Sequence, residues 1–324
     1  MRTLVLALLA FLALGVQPAF AEGNRYVVIV QGASGDPQYA TMHRAWVDTL
    51  STVLRDRLKI DPANIFLLTE QPKNERELKG TAESVRTVLA RLAKETKADD
   101  LVFVMLIGHG SGDAAAAKFN LVGPDLASEE WGALLKPIAA RIAFVDSTSS
   151  SFPFVAALSG PNRVVITATG SYAQRYHTVF PDAFIQALMA PESDADKNGR
   201  ISLLEAFTQA SRIVALHYEQ SGHMSTETPT IEDTGDGKGR SAVATGDDGA
   251  VAALTYLDVV AAPTAADPEV RALLVRQQTL TEQIDELRRR RATISAADFD
   301  REFEKLIIDL ALVSRDVRKR TVKK

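Results

Sequence analysis

The chain has 324 residues, 46% of them hydrophobic, which is enough for one large α/β domain with a core and a smaller element beside it. Its 37 basic and 41 acidic side chains leave a net charge of −4, a balance with no electrostatic footprint for nucleic acid. It contains no cysteine, which excludes disulfides, thiolate metal sites, lipid attachment through a thiol, and cysteine-peptidase chemistry.

In chain order, Arg2, the apolar run Leu4 to Val16 and Ala19-Phe20-Ala21 read as a secretory signal peptide over residues 1–21, with the mature chain beginning near Glu22. The run is short for a bilayer span and no later stretch is more apolar, so no transmembrane anchor is expected. The expected location is exported, periplasmic or secreted.

From Arg25 to Ser171, apolar β-rich runs alternate with helical patterns, as βαβ units of a parallel sheet do. The predicted strands are Tyr26 to Val30, Asn64 to Leu68, Leu101 to Ile107, Ile142 to Val145 and Val164 to Ala168. Between them the spacing predicts helices over Met42 to Leu58, Ala82 to Glu95, Ser128 to Leu135, and a short one near Phe154. Helices near Asp182 to Met189 and from Leu203 to about Tyr218 follow. A Gly/Asp-rich segment, Glu232 to Gly249, then breaks the regular pattern.

Residues 261–268 read as a linker. Beyond it Val270, Leu273, Leu274, Gln277, Leu280, Ile284 and Leu287 keep a heptad spacing, as do Phe299, Phe303, Leu306, Leu310, Val313 and Val317. Asp267-Pro268 and Ser295 with Asp298 are helix-start pairs, so residues 261–324 are expected to hold a linker and an antiparallel helical hairpin, separate from an α/β domain over 22–260. Arg288 to Arg291 fall where the first helix ends and cations offset its dipole.

Two constellations carry chemistry. The third strand ends in Gly108-His109-Gly110-Ser111-Gly112, a histidine between glycines at the carboxyl edge of a parallel sheet, where open α/β sheets build sites. The Gly110 N–H suits an oxyanion. The fourth strand ends in Val145-Asp146-Ser147-Thr148-Ser149-Ser150-Ser151-Phe152, at the neighbouring edge and opposite His109. With Val27-Val28-Ile29-Val30-Gln31-Gly32-Ala33-Ser34-Gly35, these motifs resemble the caspase-like peptidases, in particular their legumain-type branch, over roughly Arg25 to Gly239.

The resemblance implies a caspase-like parallel-sheet αβα sandwich, His109 as general base, Gly110 as oxyanion donor, and Ser149 or Ser147 where the family carries its cysteine. Phe152 stands in place of a family glycine in the Ser149 register, and Ala40 or Thr41 in place of a pocket arginine. A serine hydroxyl needs a well-oriented base at each turnover, whereas a thiol is partly ionised near neutrality and nucleophilic once paired with histidine. Asp113 and Asp146 are the nearby acids that would orient His109.

The second constellation is Asp194-Ala195-Asp196-Lys197-Asn198-Gly199-Arg200-Ile201-Ser202-Leu203-Leu204-Glu205, a full match to the EF-hand loop pattern. It predicts Ca2+ held by Asp194, Asp196, Asn198, the Arg200 carbonyl, Ser202 and a bidentate Glu205. Capping of the next helix by Asn198 or Ser202 is the competing use of the same residues. Glu232 to Gly239 reads as turns. His43, His177, His217 and His223 show no ligand spacing and are expected to be surface or packed residues.

The expectation for function is a catalytically degenerate, exported peptidase-fold protein with a calcium loop, whose hairpin mediates self-association or docking to a protein or peptide partner. The alternative is a serine-dependent peptidase or hydrolase using Ser149 or Ser147 with His109.

Overall fold

A computed structural model describes residues 23–112, 117–244, 246–259 and 268–321. The signal-peptide reading, Asp113 and the 261–267 part of the linker reading lie outside the described residues. The chain divides into two compact units, one built on Glu22–Ala262 and the other on the two C-terminal helices.

In the first unit, five apolar strands make the centre of a sheet: β1 (Arg25–Gln31), β2 (Ile65–Thr69), β4 (Leu101–Ile107), β8 (Arg141–Asp146) and β9 (Arg163–Thr167). All seven residues of β4 are buried, as a strand covered on both faces requires. With β3 (Glu77–Lys79), β10 (Thr230–Glu232) and β11 (Arg240–Ser241), the sheet runs β11-β10-β9-β8-β4-β1-β2-β3. Its strands are parallel from β3 to β9, and β10 and β11 pair antiparallel at the edge. A small antiparallel sheet of β5 (Gly110–Ser111), β6 (Lys118–Phe119) and β7 (Leu126–Ala127) follows β4. The sequence reading missed β3, β5 to β7, β10 and β11; two- and three-residue strands are too short to show a period. Glu232, assigned there to the irregular segment, closes β10.

One face of the sheet is covered by α1 (Pro37–Thr52), α5 (Phe180–Ala187) and α6 (Leu203–Ser221), whose Val47, Leu50, Phe184, Phe207 and Val214 join Ile29, Phe103 and Met105 in one core. The other face is covered by α2 (Ala82–Glu95), α3 (Ser128–Leu135) and α4 (Pro153–Leu158), with Val85, Leu89, Trp131 and Phe154 packed on Val28, Val104 and Phe144. This is the expected α/β sandwich. Helix α1 begins at Pro37 instead of Met42, because the Asp36 carboxylate accepts from the Gln38 N–H and proline fixes the first turn. Val53–Arg57 continues it as a π-helical turn.

Chain order reverses between β1 and β4: β2 and β3 lie on one side of β1, β4 and the later strands on the other. The carboxyl ends there are Gln31 and Ile107, so the turns after them, carrying Ser34 and His109, flank the sheet's switch point.

The second unit consists of α7 (Pro268–Arg289) and α8 (Ala296–Thr321). The amide of Gln277 donates to Ser314 Oγ at 3.1 Å, and Arg320 near the end of α8 pairs with Glu269 at the start of α7, so the helices run antiparallel as predicted. No helix among the described residues is long and apolar enough to cross a membrane.

Candidate functional site

Gly108 leaves β4 with φ 151°, a conformation that favours glycine, and turns His109 back over the switch point. The ring Nε2 lies 3.2 Å from the Ser34 carbonyl. A carbonyl only accepts, so Nε2–H donates to it, and in the neutral tautomer that makes this bond Nδ1 holds the lone pair.

Two of the other histidines, which sequence spacing did not link to His109, lie beside it. His43 from α1 and His177 from the segment before α5 converge on His109, and one ring nitrogen of each lies within 4.8 Å of the other two. Ring centroids are 5.1 Å apart for His43 and His109, and 6.3 Å for His109 and His177. Tyr39 sits edge-on to His109 at 4.8 Å and beside His177 at 5.0 Å, while Trp46 lies parallel to His177 at 6.1 Å. Tyr39, His43 and Trp46 are spaced i, i+4, i+7, one helical face, and that spacing was the available sequence clue.

His43 is fully buried. Its Nδ1 meets Ser34 Oγ at 3.3 Å, while its Nε2 has no hydrogen-bond partner, an omission worth about 1–3 kcal/mol in a dry interior. Burial, reinforced by His109 and His177, lowers its pKa to about 4, so this imidazole is neutral at physiological pH. Burial and His109 also lower that of His177.

The β8 edge is adjacent, as expected, with Leu106 opposite Asp146. The hydroxyls of Ser147, Thr148, Ser149 and Ser151 are all held in hydrogen bonds. Ser149 Oγ donates to the Gly110 carbonyl at 3.1 Å, and the buried Ser147 Oγ donates to the Leu106 carbonyl. Thr148 donates its N–H and Oγ–H to Asp146 Oδ1 at 3.0 and 2.7 Å, and Ser151 bonds Thr169 Oγ1 at 3.0 Å. Gly110 is fixed by this packing: a Cβ on it would lie 1.9 Å from the Ser149 carbonyl oxygen.

Asp146 is wholly buried with Oδ2 unpartnered, and burial pushes its carboxyl up to about 7 against the Thr148 hydrogen bonds. Its hydrogen bonds go to Thr148, and neither of its oxygens is bonded to His109 as a triad acid would be. Ala40 and Thr41 lie in the first turns of α1. Arg44, one turn on, forks the carboxylate of Glu77 at 2.7 and 2.8 Å.

The 194–205 loop brings carboxylate oxygens of Asp194, Asp196 and Glu205 within 4.8 Å of one another. Asp194 accepts from the Asn198 and Gly199 N–H groups, and Asn198 Oδ1 from the Arg200 N–H, which curls the side-chain oxygens inward. Gly199, at φ 86°, supplies the sharp turn. Glu205 Oε1 accepts from the Ala195 N–H at 2.9 Å and Oε2 from the Ser202 N–H at 2.8 Å, so one carboxylate closes the loop and completes the capping box of α6. An all-oxygen donor set of this charge suits Ca2+. The guanidinium of Arg200 grips Asp258 and lies 4.1 Å over the Tyr256 ring, tethering the loop.

In the second acidic stretch, Asp233 and Glu232 hold the turns that follow β10. Asp233 accepts from the Gly249 and Ala252 N–H groups, both at 2.7 Å, and Glu232 Oε1 from the Gly235 and Asp236 N–H groups. His217 and His223 are exposed.

No family model matches the chain. No curated protein matches it. Among solved structures, it is similar to a Geobacter sulfurreducens protein from structural genomics (TM-score 0.43, 13% identity, 64% of this chain and 92% of the other). It is also similar to the Drosophila initiator caspase Dronc (TM-score 0.40, 12% identity, 68% and 82%). A third is a secreted cysteine protease from Bacteroides thetaiotaomicron bound to an irreversible peptide inhibitor (TM-score 0.40, 13% identity, 65% and 66%).

Proposed function

We propose that this chain is an exported caspase-like module of legumain type without peptidase chemistry, braced by calcium at residues 194–205. Its helical hairpin serves self-association or docking to a protein or peptide partner. The observation that carries this reading is the use made of the two hydroxyls at the nucleophile edge. Ser149 gives its proton to the Gly110 carbonyl and Ser147 to the Leu106 carbonyl, so neither is presented to His109 as an activated nucleophile. With no thiol in the chain, His109 has a base's position and nothing to activate.

The test is hydrolysis of a fluorogenic peptide library by the purified mature chain, beside its Ser149→Ala and Ser147→Ala variants. Background turnover, unchanged by either substitution, is expected. Turnover abolished by one of them contradicts the reading. For the calcium brace, titration calorimetry is expected to give one Ca2+ per chain, with binding lost in Glu205→Gln; no binding in the parent removes that part.

A further inference from the structure

We propose that His43, His109 and His177 form a binding site for one divalent transition-metal ion of the zinc class. This goes beyond the module reading and does not depend on it. Three imidazoles from three separate elements each bring a ring nitrogen within 4.8 Å of the others. A zinc ion with bonds of about 2.0–2.1 Å draws such nitrogens closer, a change that side-chain rotation from α1 and two loops supplies.

Independent support comes from Ser34. Its carbonyl accepts the Nε2 proton of His109, leaving Nδ1 as the lone-pair nitrogen. Its Oγ meets Nδ1 of His43; when Nδ1–H donates to it, Nε2 is the lone-pair nitrogen. That Nε2 is the atom with no hydrogen-bond partner, on a side chain with 0% exposure. An orphaned basic nitrogen sealed inside the fold, beside two further imidazoles, is what a metal ligand looks like without its ion. Orientation of ligating histidines by hydrogen bonds to the opposite nitrogen is the usual outer support of such sites, and here one residue supplies two of them.

The chemical class follows from the donors. Neutral imidazoles favour zinc, copper, nickel or iron over calcium and magnesium, which take oxygen. Three protein ligands leave a fourth position for water or a ligand atom. Tyr39 and Trp46 wall the cluster with aromatic surface, and it lies at the carboxyl ends of β1 and β4, where the sheet's strand order reverses. In this arrangement the histidine in the base's position becomes a ligand.

The experiment uses the purified mature chain, stripped with a chelator and titrated separately with Zn2+ by calorimetry and Co2+ by visible absorption. One equivalent of Zn2+, with Co2+ bands of tetrahedral intensity displaced by Zn2+, is expected. His109→Ala and His177→Ala, checked for folding by circular dichroism, are expected to weaken Zn2+ binding by more than about 100-fold, and Ser34→Ala by about 10-fold. Glu205→Gln is expected to leave Zn2+ binding unchanged. Less than a tenth of an equivalent bound by the parent overturns the proposal without reference to any variant. Full-affinity binding in folded His109→Ala and His177→Ala, or binding lost only in Glu205→Gln, overturns it by placing the ion elsewhere.

Discussion

Replacing Asp146 by asparagine probes the floor of the β8 edge. The carboxyl is fully buried and titrates near 7, whereas the same group in the unfolded chain titrates at the ordinary aspartate value of 3.8. Between those values the folded chain holds a proton that the unfolded chain has released, so this group makes stability fall as pH rises. At about 1.4 kcal/mol per pH unit the loss reaches about 4 kcal/mol above pH 7, taken as an upper figure for a buried group. Asparagine keeps an oxygen for the two Thr148 hydrogen bonds and has no charge to bury. Urea unfolding of both chains from pH 4 to 8 reads the effect. Near pH 4 the two are expected to be of similar stability, and the variant's advantage to grow to about 2–4 kcal/mol by pH 8. Glu227, which burial also pushes up to about 7, has the same sign but is present in both chains and cancels in the difference. Parallel pH profiles would refute the argument that Asp146 is held neutral by burial.

Calcium at 100 times its Kd is expected to stabilise the parent by about 2.7 kcal/mol and Glu205→Gln by nearly nothing, read as thermal shifts with and without chelator. Glu77→Ala leaves Arg44, 16% exposed, paired with the more exposed Asp48, and is expected to cost about 3 kcal/mol in chemical denaturation; a cost below about 1 would show that the pair contributes little. Gly110→Ala drives a methyl into the Ser149 carbonyl and is expected to cost more than about 2 kcal/mol, whereas near-neutral stability would mean that the two loops separate freely. Truncation after residue 262 is expected to abolish self-association in sedimentation velocity while the circular dichroism of the remaining chain retains its α/β character; oligomers persisting without the hairpin would contradict its assigned role.

The sequence was most readable where burial imposes a long, uniform pattern. Leu101–Ile107, Ala82–Glu95 and Ser128–Leu135 have the predicted bounds, because an all-apolar strand and a Thr81-capped amphipathic helix have few alternative readings. The adjacency of β4 and β8 followed from simple winding, and with it the contact of Gly110, next to His109, with Ser149 at the β8 edge. The gathering of the Asp194, Asp196 and Glu205 carboxylates was readable because these residues are local in sequence. The histidine cluster was not: His43 is on a helix, His109 at a strand end and His177 in a loop, and only the closing of α1 and that loop over the sheet brings them together. Likewise, nothing in Asp146-Ser147-Thr148-Ser149 indicates that each hydroxyl is spent on a backbone carbonyl or on Asp146, since the carbonyls belong to β4 and the turn after it.

The most direct measurement is intact-mass spectrometry of the mature chain after exposure to a fluorophosphonate, with and without His109→Ala. An unchanged mass in both is predicted, because the hydroxyls of Ser147 and Ser149 face carbonyls. A single adduct on Ser149 or Ser147 that disappears in His109→Ala would identify a working serine nucleophile and contradict the account.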